Sequence, residues 1–395
     1  MSFILLSLLL LPGCVKKAPL PWIGKMMTMS GRIGPEEILR LPQGNPVSFT
    51  QLIDDLHGST VIFVGESHDQ LEHHQIQLKI LQALKEKGED VVIAMEMFQR
   101  PQQPILDRWS QGQLTEEEFL SEVDWENTWG FDYPLYRGIL EEAKNNHLSV
   151  LALNVPRDLV RTVAEKGKDG LSSEEKKRLP EMDLSDQEHR AYIATIFRSH
   201  YRGSARNFER FYEAQCLWDE GMAESLSDFL RSSESREKTV LVFAGNGHVA
   251  FDFGIPSRFY RRTPSSFKTI VLKEWTRKLD EDLAFSGSSQ PLADFLWITQ
   301  PTPPEQKRPR IGLVLKLKDP SEGLTIERVI PGSPADKAGL LVGDRLLSVE
   351  GIPITEVKEV HEILLQKGWG AEITVTVERE GLTREVKVTL PPLAD

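Results

Sequence analysis

Four short clusters of ionisable and amide side chains stand at the ends of apolar runs. The first is Gly65-Glu66-Ser67-His68, after the run 60–64. The second is Glu96, within the run 90–97. The third is Asn154 with Pro156 and Arg157, closing the run 148–155. The fourth is Gly245-Asn246-Gly247-His248, after the run 239–244. A lone histidine after a strand is more often a hydrogen-bonded loop residue than a ligand. Glu96 is sharper, because burying a carboxylate costs several kcal/mol unless it is paired; Arg157 or a neighbouring histidine is the expected partner. Convergence of Glu66, His68, Glu96, Arg157 and His248 predicts a functional site. A carboxylate orienting an imidazole makes a general acid–base pair, the catalytic set of a hydrolase. Glu66, His68 and His248 are equally a donor set for a divalent metal. The sequence has no GxSxG nucleophile elbow and no Gly-rich phosphate loop.

These residues can meet only if the runs that carry them lie side by side. The runs are apolar on both faces and alternate with helical spacing, for example Ile76, Ile80, Leu81 and Leu84. That pattern predicts an α/β fold with a mainly parallel sheet and helices on both faces. A fifth strand is expected at 267–272 and a long helical insertion at about 157–232. Ligands of such sheets sit outside the carboxyl ends of the strands, where all four clusters fall. His73 and His74 follow on the first helix. His74 can look back over the strand end, and the plain alternative is an exposed helical pair.

The insertion carries a second feature. His189, Tyr192, Ile193, Ile196 and His200 share one stripe at helical spacing. The next helix gathers Phe208, Phe211, Tyr212, Gln215, Trp218, Met222 and Leu226 on one face. The two helices either pack as plain core or form a flat apolar cleft with axial-ligand candidates, as haem requires.

At 395 residues with 40% apolar and 27% charged side chains, the chain has room for two domains with their own cores. A net charge of -12 argues against a nucleic-acid partner. Residues 1–14 form an isolated apolar run ending in Pro12-Gly13-Cys14, which reads as a lipoprotein signal with Cys14 as the lipidated residue. That places the protein at the cell envelope, anchored to a membrane by lipid. Val15 after the cysteine points to the outer membrane in a Gram-negative cell. Residues 15–45 read as a tether and 286–308 as a Pro-rich linker, leaving 46–285 for the α/β domain. Cys216, among Phe211, Tyr212 and Trp218, is expected to be a buried inert thiol.

Residues 309–392 contain IGLVLKL, then LTIERVIPGSPADKAGLLVGDRLLSVEGIPI, a helix at 357–367 and two strands with Gly381 in their turn. This small, mostly β module resembles a PDZ domain of the bacterial protease-associated kind. The resemblance implies binding of a polypeptide C-terminus as an added strand. Arg310, Ile311, Gly312, Leu313 and Val314 match the carboxylate loop and groove strand, and His361 with Leu364 or Leu365 would face the groove from the helix. Docking against its own large domain is the alternative.

The large domain is similar to the ChaN family of haem-binding lipoproteins. The stretches that carry this are VIFVGESHDQLEHHQIQ, VVIAMEMFQRPQQPILD, YRGILEEAKNNHLSVLALNVPRDLV and LVFAGNGHVAFDFGIPSR. The family is related to TraB/Tiki proteases and erythromycin-esterase-like hydrolases, which share the GExH and GxxH pattern. The resemblance implies iron-linked haem binding at the envelope, with haem held between the monomers of a homodimer by a tyrosine and a nearby histidine. Tyr192 and Tyr201 are the tyrosine candidates, with His189, His200 and His74 as imidazole candidates.

Overall fold

The computed structural model describes residues 34–200, 207–276, 288–301, 309–317 and 323–392. Its first sheet is built from β1 (Ile38–Arg40), β2 (Asn45–Val47), β3 (Val61–Glu66), β4 (Asp90–Gln99), β5 (Val150–Asn154), β6 (Lys238–Gly245), β7 (Phe267–Glu274) and β8 (Phe295–Thr299). The order across the sheet is β2-β1-β8-β7-β3-β6-β4-β5. From β8 to β5 every pair is parallel. The two short N-terminal strands add antiparallel at the β8 edge. All five strands expected from sequence are present, as β3 to β7.

The central strands are apolar on both faces because both are covered. Ile62 and Val64 of β3 join Ile93, Met95, Leu241 and Phe243 in one core, and Val61 and Phe63 join Ala94, Val240 and Val242 in the other. This follows from the alternation of side chains along a strand. Burying a residue such as Phe63 completely contributes about 1.5–3 kcal/mol. Helices α1 (Phe49–Leu56), α2 (Leu71–Glu86) and α3 (Pro134–Asn145) cover the first core.

The second core is closed by α5 (Phe208–Arg231) and α6 (Ile255–Arg262). The helix α4 (Gln187–His200) lies beside α5 within the insertion. Asn207 caps α5 by accepting hydrogen bonds from the Glu209 and Arg210 amides. Met222, Ala223 and Leu226 project from α5 onto the sheet.

Two boundaries differ from the sequence reading. The stretch 286–308 is not all linker, since Phe295–Thr299 is a fully buried strand of the main sheet. The tether 15–45 likewise gives up its end to the sheet, through Ile38–Arg40 and the start of Asn45–Val47. Both segments carry short strands in polar, Pro-rich surroundings, so the periodicity that reveals longer strands is missing.

The C-terminal sheet has the order β14-β13-β11-β10-β9, with β12 paired to β11. Its strands are β9 (Leu313–Leu317), β10 (Leu324–Val329), β11 (Arg345–Val349), β12 (Ile352–Pro353), β13 (Glu372–Arg379) and β14 (Leu382–Thr389). The helix α7 (Val357–Lys367) packs Val360, Ile363 and Leu364 into the core of this domain. Among the described residues strand β9 pairs on one side with β10 and ends the sheet on its other side.

Candidate functional site

The carboxyl ends of β3, β4 and β6 bring four of the five expected residues together. β6 lies between β3 and β4, so Glu66, Glu96 and the Asn246–Val249 turn meet although they are distant in sequence. Glu66, buried, accepts from His68 Nδ1 at 2.8 Å through Oε1, and the Tyr136 hydroxyl donates to the same oxygen at 3.1 Å. Its Oε2 lies 3.0 Å from His74 Nδ1 but outside hydrogen-bonding geometry, so that contact is electrostatic. Glu96 accepts the Gly245 amide at 2.7 Å and sits 3.3 Å from His248 Nε2. On its other side His248 Nδ1 meets Asp219 Oδ1 at 2.6 Å. Gly245 leaves room for the His68 ring, since a Cβ there would stand 2.8 Å from it.

These contacts set the protonation states. Burial works against the Glu66 carboxylate, but His74 and His68 outweigh it and hold the group well below the usual carboxylate range. Glu96 is also lowered, its burial overcome chiefly by His248. Burial disfavours a charged His248, yet Glu96 and Asp219 raise it to about 10. His68 shifts upward too, since Glu66 and Glu96 outweigh its burial. At neutral pH the site therefore holds a cationic His248 clamped between two carboxylates. Both His248 nitrogens face these carboxylates, and His68 is the member that faces outward. The His68 side chain is 26% exposed and is walled by Trp129 and Phe131, with ring centroids 4.8 and 4.9 Å away.

The other expectations fare differently. Arg157 is exposed and does not pair with Glu96; its guanidinium bonds the Asn127 carbonyl and its amide bonds Gln99. Glu66, His68 and His248 do converge, but their polar atoms point at protein partners rather than at a common centre. Among the described residues no group of three or more His, Cys, Asp and Glu is arranged to hold a metal ion. In this structure the three take part in an ion-pair network.

His73 and His74 are buried rather than exposed. His73 accepts the Ser67 amide at Nδ1 (2.9 Å) and approaches Thr299 Oγ1 through Nε2 (3.2 Å), and burial lowers it to about 3. It therefore ties the turn after β3 as a neutral ring. His74 packs against Tyr136 in a tilted ring contact and reaches the His68 carbonyl, so here it supports the site.

His189 is a correction of the same kind. It is fully buried, and Arg258 donates to its Nδ1 at 3.1 Å. Its Nε2 lies 3.5 Å from Asp219, and burial lowers it to about 4. Nδ1 is taken by Arg258 and the ring is fully buried, so His189 is not presented to a ligand as the helical stripe suggested. Tyr192 is only half-buried, edge-on to Phe251 at 5.3 Å and 6.1 Å from Phe253. The His200 side chain, Tyr201 and Cys14 lie outside the described residues. Cys216 is a free, buried thiol pushed up to about 12 by its burial, as expected.

Sequence reasoning missed Asp219, Tyr136 and the Trp129–Phe131 wall. Asp219 had a signal: it falls with Tyr212, Cys216 and Met222 on the buried side of α5, where an aspartate requires a partner.

In the C-terminal domain Gly312 has φ +83°, and a Cβ there would overlap Ser333. Ile311 is turned inward and its carbonyl accepts the Ala335 amide, while Leu313 and Leu315 are partly buried along the sheet-edge strand β9. On α7 it is Leu365 that is exposed, and Leu364 is core.

Comparison with known proteins covers both parts of the chain. Residues 52–259 match the family described as haem-binding uptake, Tiki superfamily, ChaN. Residues 309–390 match the PDZ domain. A solved structure titled as cofacial heme binding to ChaN of Campylobacter jejuni superposes with a TM-score of 0.52 at 19% identity, covering 66% of this chain and 95% of that one. The Arabidopsis thaliana protein RETICULATA-RELATED 5, chloroplastic, is 22% identical over 304 residues, 71% of this chain and 40% of that protein. A probable periplasmic serine protease of Haemophilus influenzae, do/HhoA-like, is 35% identical over 69 residues, 18% of this chain and 15% of that protein. The chain thus spans 40% or less of the length of these curated relatives.

Proposed function

We propose, on the premise that this chain belongs to the ChaN family of haem-binding uptake proteins in the Tiki superfamily, that its α/β domain binds haem against the insertion helices and its PDZ domain holds a polypeptide partner. The observation that carries the haem reading is the setting of Tyr192. Its phenol belongs to a cluster of partly buried apolar side chains that includes Ile196, Phe208 and Phe211. Trp218, partly buried, flanks the same helix pair. Such a face suits a flat apolar ligand, and a phenol at its edge suits a ferric ion. Haem would supply the iron and the ring; the chain supplies the apolar face and the hydroxyl. Burial pushes the Tyr192 phenol up to about 12, so it keeps its proton near neutral pH until a cation comes within reach.

The cellular setting rests on the sequence. An apolar leader ending at Cys14 supports a lipid-anchored protein at the cell envelope, engaged in haem handling or iron acquisition. The PDZ match, with β9 at a sheet edge, supports capture of a polypeptide C-terminus. A homodimer that shares the ligand follows from the family resemblance.

Titration of the full chain with haemin tests the central claim. A shifted Soret band is expected, weakened at least about tenfold in Tyr192→Phe, a loss of ~1.4 kcal/mol or more. A wild-type protein that leaves the Soret band unshifted sinks the haem reading. Unchanged binding by the variant removes only the tyrosine.

A second reading is favoured by one specific observation: His68, oriented by Glu66, opens to solvent beside a cationic His248. That geometry fits acid–base hydrolysis of an ester or peptide. Turnover of such substrates by the wild type and its loss in His68→Gln would establish it; no turnover would dismiss it.

A further inference from the structure

The PDZ domain meets the α/β domain at the rim of the strand-end site, and it does so with residues of its own peptide groove. Arg310, which directly precedes the Ile311-Gly312-Leu313 loop, places Nη2 2.6 Å from Asp69 Oδ2. Asp69 is the residue after His68. His361, on the groove helix α7, places Nδ1 3.8 Å from Asp132 Oδ1. Asp132 follows Phe131, which walls His68. A third pair, Arg161 with Glu327 at 3.8 Å, joins the insertion to β10, the neighbour of the groove strand. Two acidic residues of the rim thus face two groove residues that can carry positive charge.

We propose that the PDZ domain docks its groove over the rim of the strand-end site through these ion pairs, and that an incoming polypeptide C-terminus undocks it. The undocking half rests on the peptide-binding reading above; the docking half does not. The physical argument is competition for one cation. A peptide carboxylate entering the loop next to Arg310 is the same chemical group as the Asp69 side chain that already pairs with it. The groups are exposed or half-exposed, so each pair contributes little and is screened by salt. Weak contacts suffice within one chain, because a tether raises the effective concentration to the millimolar range. A reversible contact at the rim results, and its release frees Asp69 and Asp132 beside His68 and Phe131.

Hydrogen exchange on the full chain tests both halves. Amides of 67–70, 129–133 and 309–313 should exchange several-fold faster in Asp69→Asn/Asp132→Asn than in wild type. Wild type in roughly 0.5 M salt should behave the same way. Joining Asp69→Arg to Arg310→Asp should restore protection, which separates docking from misfolding. A synthetic peptide with a free C-terminal Val should bind the double variant about threefold to tenfold more tightly, and should speed rim exchange in the wild type. Wild-type exchange rates in the double variant overturn docking. A rim that stays protected while the peptide is bound overturns undocking. Failure of the peptide to bind any form overturns the peptide reading and with it undocking, while the variant and salt arms still decide docking.

Discussion

The strand-end site and the insertion face adjoin, yet they are built on opposite principles. At the strand ends Glu66, Glu96, His248 and Asp219 are buried, and each is held by partners of opposite charge or by backbone amides. Along the insertion Tyr192, Ile196, Phe211 and Trp218 are half-buried and pack against apolar clusters. A buried ion network punishes any change because a stranded buried charge is costly. A half-buried aromatic face tolerates change, since water already reaches part of it. The helix α5 links the two: Asp219 reaches the network and Phe211 and Trp218 line the face.

The largest effect is expected from Glu66→Ala. It leaves His68 and His74 without their shared carboxylate and should cost about 3–5 kcal/mol, read as a lower urea midpoint. A loss below about 1 kcal/mol would break the contrast, because the network would then be no more sensitive than a surface pair.

The pH dependence comes next. A histidine raised from 6.5 to about 10 on folding adds stability that is complete below pH 6.5 and disappears as the pH climbs through 10. Unfolding free energy should fall between these limits by up to about 1.4 kcal/mol per pH unit. His248→Gln should flatten that slope. Glu66, lowered on folding, acts in the opposite window: its contribution is present above pH 4.5 and drains away as the solution is acidified. A wild-type profile that is level from pH 7 to 10 would mean that the His248 cation is not held as its contacts indicate.

Gly245→Ala sharpens the comparison at intermediate cost. The new methyl must displace the His68 ring, which is partly exposed and able to yield, so about 1–3 kcal/mol is expected. Hydrogen exchange of the β6 end would locate the damage.

How much of this was legible depends on reach along the chain. The strands β3 and β6 announce themselves through TVIFV and TVLVFA, runs apolar on both faces. The strand-end residues were found because chemistry collects at the carboxyl ends of parallel strands. β8 was hidden because FLWIT is short and sits in Pro-rich sequence. His189 was misjudged because a helical stripe gives its face but not its partners. The Arg258 donor comes from another helix, α6, and nothing in the spacing of α4 could foretell it. Arg157 failed for a related reason: its side chain turns outward to the Asn127 carbonyl, and periodicity does not report the rotamer of a helix's first residue.

Tyr192→Phe is the smallest perturbation, and it separates the two regions most cleanly. The ring stays, so its contacts with Phe251 and Phe253 stay. Only the hydroxyl is lost, at a half-buried position, and about 0.5–1 kcal/mol of stability is at stake. Haemin affinity should nevertheless drop by at least about tenfold, because the lost atom is the one offered to iron. The strand-end variant Glu66→Ala should show the reverse: a large loss of stability and, in the fraction that remains folded, nearly unchanged haemin binding. Measuring both quantities on both variants makes the crossed pattern decisive. If Tyr192→Phe destabilised the protein by about 3 kcal/mol, the phenol would belong to the buried network, and the insertion face would be core rather than a ligand surface.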